Sequence, residues 1–248
     1  MDGYEEKRRH ALQLANRRRT GGTLAFLGHW AKIVVISLAL FIVIRAFGVE
    51  AFKIASGSME HTLFEGDFLL INKLVYGAGI PGVGRKLPAL HPPRDGDVIV
   101  FTYPVDPRLN YVKRIVGTPG DTLSMREGQL VRNGRPVEEN YIQRTPGEPD
   151  QSDDDFRWQK AYLVGNAAVE DYRPSRNNWG PLVVPPHDYF VLGDNRDNSS
   201  DSRYWGFVAD SLVRGQPLVV YYSYAPDTGD KLDWLTRLRW KRFGEIVH

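Results

Sequence analysis

The feature that most constrains this chain is a run of twelve residues, Ile33 to Ile44, with one Ser and no charge. A run of this kind must be covered, either by protein or by lipid. Twelve residues do not cross a bilayer, which takes about 20. Extension to Leu24 and Phe47 reaches that length, with Lys32 and Arg45 snorkelling toward the two headgroup layers and Trp30 and His29 suited to an interface. The residues before it are basic. Positions 1–22 carry six Lys/Arg against three Asp/Glu, while the rest of the 248 residues carry 26 against 27. A positive block followed by an apolar span reads as a retained anchor with its N-terminus in the cytoplasm and residues 48–248 on the far side. A cleaved export leader and a buried core helix are the competing readings. The small residues after Phe47 are too scattered to mark a clear cleavage site, and Arg17-Arg18-Arg19 belongs to the positive block.

Beyond the span, short apolar runs recur between turn residues: Phe68–Ile71, Val98–Phe101, Tyr111–Val116, Tyr189–Leu192 and Leu218–Tyr222. They are rich in β-branched and aromatic residues and bounded by Gly, Asp, Asn or Pro, so they read as strands. Gln129–Val137 reads as a hairpin about Asn133-Gly134. Helical periodicity after the span is confined to 231–241. The expected fold is mainly β, antiparallel, preceded by one transmembrane helix. The expected division is a basic tail over 1–23, an anchor over 24–47 and a β domain over 48–137 and 186–248. A loop-rich inserted subdomain is expected over 138–185, where the chain turns polar and irregular.

No Cys is present, which excludes thiol nucleophiles, disulfides and Cys-ligated metals. A net charge of +2 gives no field that argues for nucleic acid. Three segments carry the chemistry. In Ala55-Ser56-Gly57-Ser58-Met59-Glu60, small residues around a Ser permit a tight turn that exposes its Oγ and aims backbone N–H groups at an oxyanion. In Tyr111–Gly117, alternation sends Lys113 and Arg114 to opposite faces, so one basic side chain points inward; an apolar setting favours its neutral form. Gly193–Gly206 is dense in Asp, Arg, Asn and Ser and reads as an ion-paired loop that positions other groups. It lacks the central Gly and terminal Glu of a calcium loop. Gly66-Asp67 and Gly96-Asp97 read as structural turn-to-strand entries. The six histidines supply no clear base for a Ser–His–Asp triad: only His61 is near Ser58, and His91 and His187 abut prolines.

Taken in order after one anchor, these segments resemble the type I signal peptidases, membrane-anchored Ser/Lys endopeptidases that remove export signals. The resemblance rests on Ser56-Gly57-Ser58-Met59 with Thr62-Leu63 and Gly66-Asp67, on Tyr111–Asp121, and on Gly193–Gly206. It implies an antiparallel Ser/Lys peptidase fold, with Ser58 as nucleophile and Lys113 as general base. It further implies Ser56 and the Ser58 backbone N–H as the oxyanion hole, Ser199 orienting the lysine, and Asp201 with Arg203 as a supporting ion pair. Signal peptides of exported pre-proteins and membrane lipid are the implied partners, and no metal or other cofactor is implied. The implied location is a bacterial cytoplasmic membrane, with one span. Ala55 and His61 depart from the family's usual prolines. Another Ser/Lys processing protease, or a catalytically silent tethered β domain, are the alternative functions. The eleven residues between Phe47 and Ser58 reach at most about 40 Å, which keeps the serine near the membrane. The alternation of Val49, Ala51, Phe52 and Ile54 with Glu50 and Lys53 suggests a strand face that dips into lipid.

Overall fold

The computed structural model describes residues 2–79, 86–145, 147, 149–165, 170–226 and 232–248. Two compact units meet between Ala46 and Phe47. The first is one continuous helix, α1 (Asp2–Val43), so the basic tail and the apolar span share a single helix. A single π turn, Ile44–Gly48, follows it. Within α1, Phe26–Val43 is apolar and long enough to cross a membrane, and its side chains are unburied.

The second unit holds eleven strands: β1 (Val49–Lys53), β2 (Asp67–Asn72), β3 (Val98–Thr102), β4 (Asn110–Gly117), β5 (Thr122–Arg126), β6 (Gln129–Arg132), β7 (Arg135–Pro136), β8 (Trp179–Val183), β9 (Asp188–Leu192), β10 (Val208–Ala209) and β11 (Val213–Ser223). The described residues of this unit also include one-turn helices α2 (Ser202–Trp205) and α3 (Asp233–Thr236) and 3-10 segments, the longest being Asp154–Tyr162. Every strand pair is antiparallel. One sheet runs β1-β2-β11-β3-β4-β9-β10 and a second runs β7-β6-β5-β8. The expected hairpin is present, with both Asn133 and Gly134 at positive φ, as a two-residue turn matching strand twist requires.

The central strands are apolar on both faces because both faces are covered. In β3, Val98 and Val100 enter one core cluster with Ile54, Met59, Leu63, Leu69 and Val112, while Ile99 and Phe101 enter another with Ile115, Tyr189 and Val191. In β9, Phe190 and Leu192 point away from Val191 into a third cluster, where they meet Leu123, Met125, Leu130 and Leu182 of the second sheet. This third cluster joins the two sheets.

Three expectations are revised. The second sheet draws β5–β7 from residues before 138 and pairs β5 with β8, so the boundary between the sheets falls in the Gly117–Asp121 turn rather than at 137. Of the expected insertion, 146, 148 and 166–169 lie outside the described residues. The helical periodicity over 231–241 yields, among the described residues, α3 and the start of a 3-10 turn, Trp240–Arg242, with residue 231 outside the described residues. Backbone bonds from Ala225 N to Arg237 O and from Arg239 N to Ser223 O draw that segment alongside the end of β11 instead. Finally, the apolar face of β1 is not free for lipid. Ile54, just after it, is buried and Phe52 packs on the same cluster, because β1 pairs along its whole length with β2 and shares that strand's core face.

Candidate active site

Ser58 lies on one 3-10 turn, Gly57–Met59, that follows the end of β1. The turn is held from two sides. Buried Met59 and Leu63 anchor it in the core, and the Leu63 N–H donates to Met59 O at 2.7 Å. From across the site, the Asn195 N–H donates to Ser58 O at 3.1 Å and the Asn195 amide donates to Gly57 O at 3.1 Å.

β4 delivers the amine. Lys113 pairs with Ile99 in the β3–β4 ladder, which fixes its backbone beside the turn. Its Nζ donates to Ser58 Oγ at 2.6 Å, and both side chains are buried. Burial pushes the Lys113 pKa down to about 8 from 10.5; Asp201 and Asp194 oppose that fall and Arg203 adds to it. Tyr111 presents its ring 5.4 Å from Nζ. A hydroxyl hydrogen-bonded to an amine that is neutral just above pH 8 is a nucleophile with an adjacent base. The pair opens on a cavity of about 450 Å³ whose walls include Phe52, Ile54, Tyr111 and Val112.

The remaining expected residues are distributed as follows. Ser56 Oγ is exposed and lies 3.4 Å from Ser58 Oγ. Asp201 and Arg203 form a bidentate buried pair, with Arg203 Nε and an η nitrogen each donating at 2.8 Å. Burial alone would raise the Asp201 carboxyl, but the Arg203 charge and hydrogen bonds, with the Gly193 N–H, hold it below its usual value. The Gly193 N–H reaches Asp201 at 3.1 Å, so this pair fixes Gly193. At Gly193 a Cβ would stand 2.2 Å from Ser199 Oγ and 2.5 Å from Ser58 O, so only glycine lets the loop approach the Ser58 turn this closely. Ser199 Oγ is buried beside the Asp201 carboxylate, which it helps to acidify, yet it meets no partner in normal hydrogen-bond geometry.

Sequence alternation placed one basic residue of β4 inside; both are inside. Arg114 donates to Asp194 at 2.9 and 2.8 Å, to Gly96 O at 2.8 Å and to His248 O at 3.0 Å. Asp194 also accepts from Thr62 Oγ1 at 2.5 Å. Arg114, Asp194, Thr62 and Asn195 thus tie the loop to the Ser58 turn, and sequence reasoning assigned none of them. The available signal was an acidic residue in a hydrogen-bonding loop and an Arg beside the Lys, a match that only tertiary packing makes. Asp67 is likewise buried, accepting from Ser223 at 2.6 Å and Arg242 at 2.8 Å, as a structural strand entry would be. His61 is exposed at φ 88°, a backbone setting closed to proline. Among the described residues no histidine hydrogen-bonds to Ser58.

Comparison with known proteins gives a consistent set. The signal peptidase I of Pseudomonas aeruginosa is 40% identical over 205 residues, covering 77% of this chain and 70% of that protein. That of Aquifex aeolicus is 36% identical over 222 residues, covering 77% and 81%. A solved signal peptidase I from Enterococcus faecalis aligns with 52% of this chain and 98% of its own, at 30% identity and a TM-score of 0.34. The family described as signal peptidase, peptidase S26, matches residues 27–222, a stretch that contains Ser58, Lys113 and the Gly193–Gly206 loop. On the family match and the 40% identity to the Pseudomonas aeruginosa protein, the chain belongs to the signal peptidase, peptidase S26, family.

Proposed function

We propose that this chain is a serine endopeptidase that removes signal peptides from exported pre-proteins with Ser58 as nucleophile and Lys113 as general base. The observation that carries the residue assignment is the 2.6 Å contact between a buried amine and a hydroxyl at the wall of an apolar cavity. The neutral amine takes the Ser58 proton as Oγ adds to the scissile carbonyl, and the resulting ammonium gives it to the leaving amine. The acyl-enzyme ester is then hydrolysed by a water that the same amine deprotonates. The Ser58 N–H and the Ser56 hydroxyl stabilise the oxyanion, one such donor contributing about 2.7–4 kcal/mol in other enzymes. The Ser56 Oγ lies 3.4 Å from the Ser58 Oγ, beside the atom that attacks. Purified protein should shorten a pre-protein, and Ser58→Ala should stop it; continued cleavage by Ser58→Ala would refute the assignment.

Ser199 is the orienting hydroxyl for Lys113 in this reading. Its Oγ is buried and lacks a well-formed hydrogen bond, so it retains capacity for the ammonium. Ser199→Ala should lower kcat by about 10- to 100-fold with little change in KM, because it misplaces the base without touching substrate. A rise in KM at constant kcat would point instead to a binding role.

The chain is membrane-anchored through α1, and its setting is a bacterial cytoplasmic membrane. The positive block supports a cytoplasmic N-terminus and a catalytic unit on the far side. Lipid contact of the catalytic unit falls to the segment after β11, where Trp234, Leu235 and Trp240 are 53%, 57% and 71% exposed beside exposed Lys241. Indoles with basic neighbours suit a headgroup layer. A fragment beginning at Gly48 should bind anionic vesicles, and Trp234→Ala with Trp240→Ala should weaken that binding by about 10- to 100-fold. No binding by the fragment would show that α1 alone supplies the membrane contact, and equal binding by the double variant would show that residues of the catalytic unit other than these two indoles carry it.

A further inference from the structure

We propose that Glu139–Gln143 is a strap that positions the active-site loop, with Glu139 and Tyr141 as positioning residues for the Ser58–Lys113 pair. This rests on the Ser/Lys reading above. The segment comes from the chain between the hairpin and β8, outside every motif that the sequence singles out, and it holds the loop through Glu139 and Gln143 and β4 through Tyr141. Glu139 forms a buried ion pair with Arg196, both side chains almost wholly enclosed. Tyr141 donates to the same Glu139 carboxylate at 2.9 Å and lays its ring 4.0 Å from the Arg114 guanidinium carbon. The Gln143 N–H donates to Asp194 O at 2.8 Å, and Gln143 O accepts from the Arg196 N–H at 3.0 Å.

Each grip is one bond removed from the chemistry. Arg196, neutralised by Glu139, donates through Nε to Gly193 O at 3.0 Å. Its carbonyl accepts from Arg203, the partner of Asp201, at 2.7 Å. Gly193 is the residue packed against Ser58 O and Ser199. Arg114, under the Tyr141 ring, is the partner of Asp194 and the sequence neighbour of Lys113. A buried Arg without its carboxylate is strongly unfavourable, so removal of Glu139 forces Arg196 toward water and releases Gly193–Asn195. The strap touches neither the cavity nor the Ser58 and Lys113 side chains, so its effect should fall on turnover and not on substrate binding.

The test uses the full chain in detergent with a pre-protein substrate. Glu139→Ala should lower kcat by about 100-fold with KM nearly unchanged, the order expected for roughly 1 Å of misplacement at a reacting pair. The rise of activity with pH, set near 8 by burial of Lys113 among Tyr111, Asp194, Asp201 and Arg203, should move toward the ordinary lysine value of 10.5 as water enters. Glu139→Gln keeps one acceptor oxygen for Arg196 and Tyr141 but loses the charge and the second acceptor, so its turnover and pH dependence should fall between those of Glu139→Ala and the wild type. If Glu139→Ala fails to fold, Tyr141→Leu, which removes the ring from Arg114, should shift both readouts in the same direction. Unchanged kcat and pH dependence with only a lower melting temperature, in whichever of these variants folds, would overturn the proposal and leave a purely structural segment. Lys113→Met is the control. Activity in that variant would remove the Ser/Lys reading itself, whereas an inactive Lys113→Met beside normal Glu139→Ala and Tyr141→Leu would remove only the strap.

Discussion

Lys113→Met should abolish signal-peptide cleavage while making the folded catalytic unit more stable at neutral pH. The loss should be about 10⁴-fold or more, since the nucleophile and its base act as a unit. The gain in stability follows from the direction of the pKa shift. Lys113 is held near 8 in the fold against 10.5 in an open chain, because burial disfavours its charged form. Between those two values the unfolded chain binds more protons than the folded one, so stability rises with pH across that window. Below pH 8 the full cost of burying the ammonium is present. Methionine keeps most of the stem volume and removes that cost. The variant's advantage in melting temperature should therefore be larger at pH 7 than at pH 10. Wild-type activity should rise through about pH 8 as the amine becomes neutral. Cleavage by Lys113→Met, or a wild-type profile that rises near 6.5 as a histidine would, refutes the lysine base.

The second large effect is expected at Asp194. Its carboxylate is fully buried and accepts from Arg114 twice and from Thr62. Asp194→Ala leaves the Arg114 guanidinium buried without a carboxylate, facing the Gly96 and His248 oxygens, the Thr62 hydroxyl and the Tyr141 ring, and should cost about 3–5 kcal/mol. For a unit of this size that is roughly 6–20 °C in melting temperature. Activity should fall as well, because Asn195, next in the chain, holds the Ser58 turn through Ser58 O and Gly57 O. Replacing both partners together, Arg114→Met with Asp194→Leu, should cost less than Asp194→Ala alone, since no charge is then stranded. A double-mutant cycle in which the two single effects simply add would show that the pair is not coupled.

The difference between Lys113 and Arg114 illustrates what could be read from order along the chain. Strand alternation says that the two point opposite ways, but not that both faces of β4 are covered. Coverage of the two faces comes from separate neighbours: Ile99 and Val191 join Ile115 on the Lys113 face, while Asp194, Tyr141 and oxygens of Gly96 and His248 enclose Arg114, at distances in sequence that periodicity does not report. Asp194 and Glu139 are similar cases. Each is an unremarkable acid in a polar stretch until the chain brings Arg114 and Arg196 to it. The amphipathic pattern over 231–241 failed for the same reason, because pairing beside β11 outweighed a weak local preference for helix.

Taken by itself, the sequence determined the apolar span with its basic flank, the positions of most strands though not of β5, β8 or β10, and the Asn133-Gly134 turn. It also supplied the residues Ser58 and Lys113, through motifs whose order resembles one family. These follow from local causes: hydropathy, side-chain period, turn stereochemistry and the types of residue that a serine nucleophile requires. Only the tertiary structure decided that Lys113 is buried enough to lose its proton near pH 8, and that Gly193 lies against Ser58. It likewise decided which of the many Arg and Asp residues are partners. The physical reason is that desolvation and ion pairing depend on what surrounds a group in space, and those neighbours come from strands far apart in the chain.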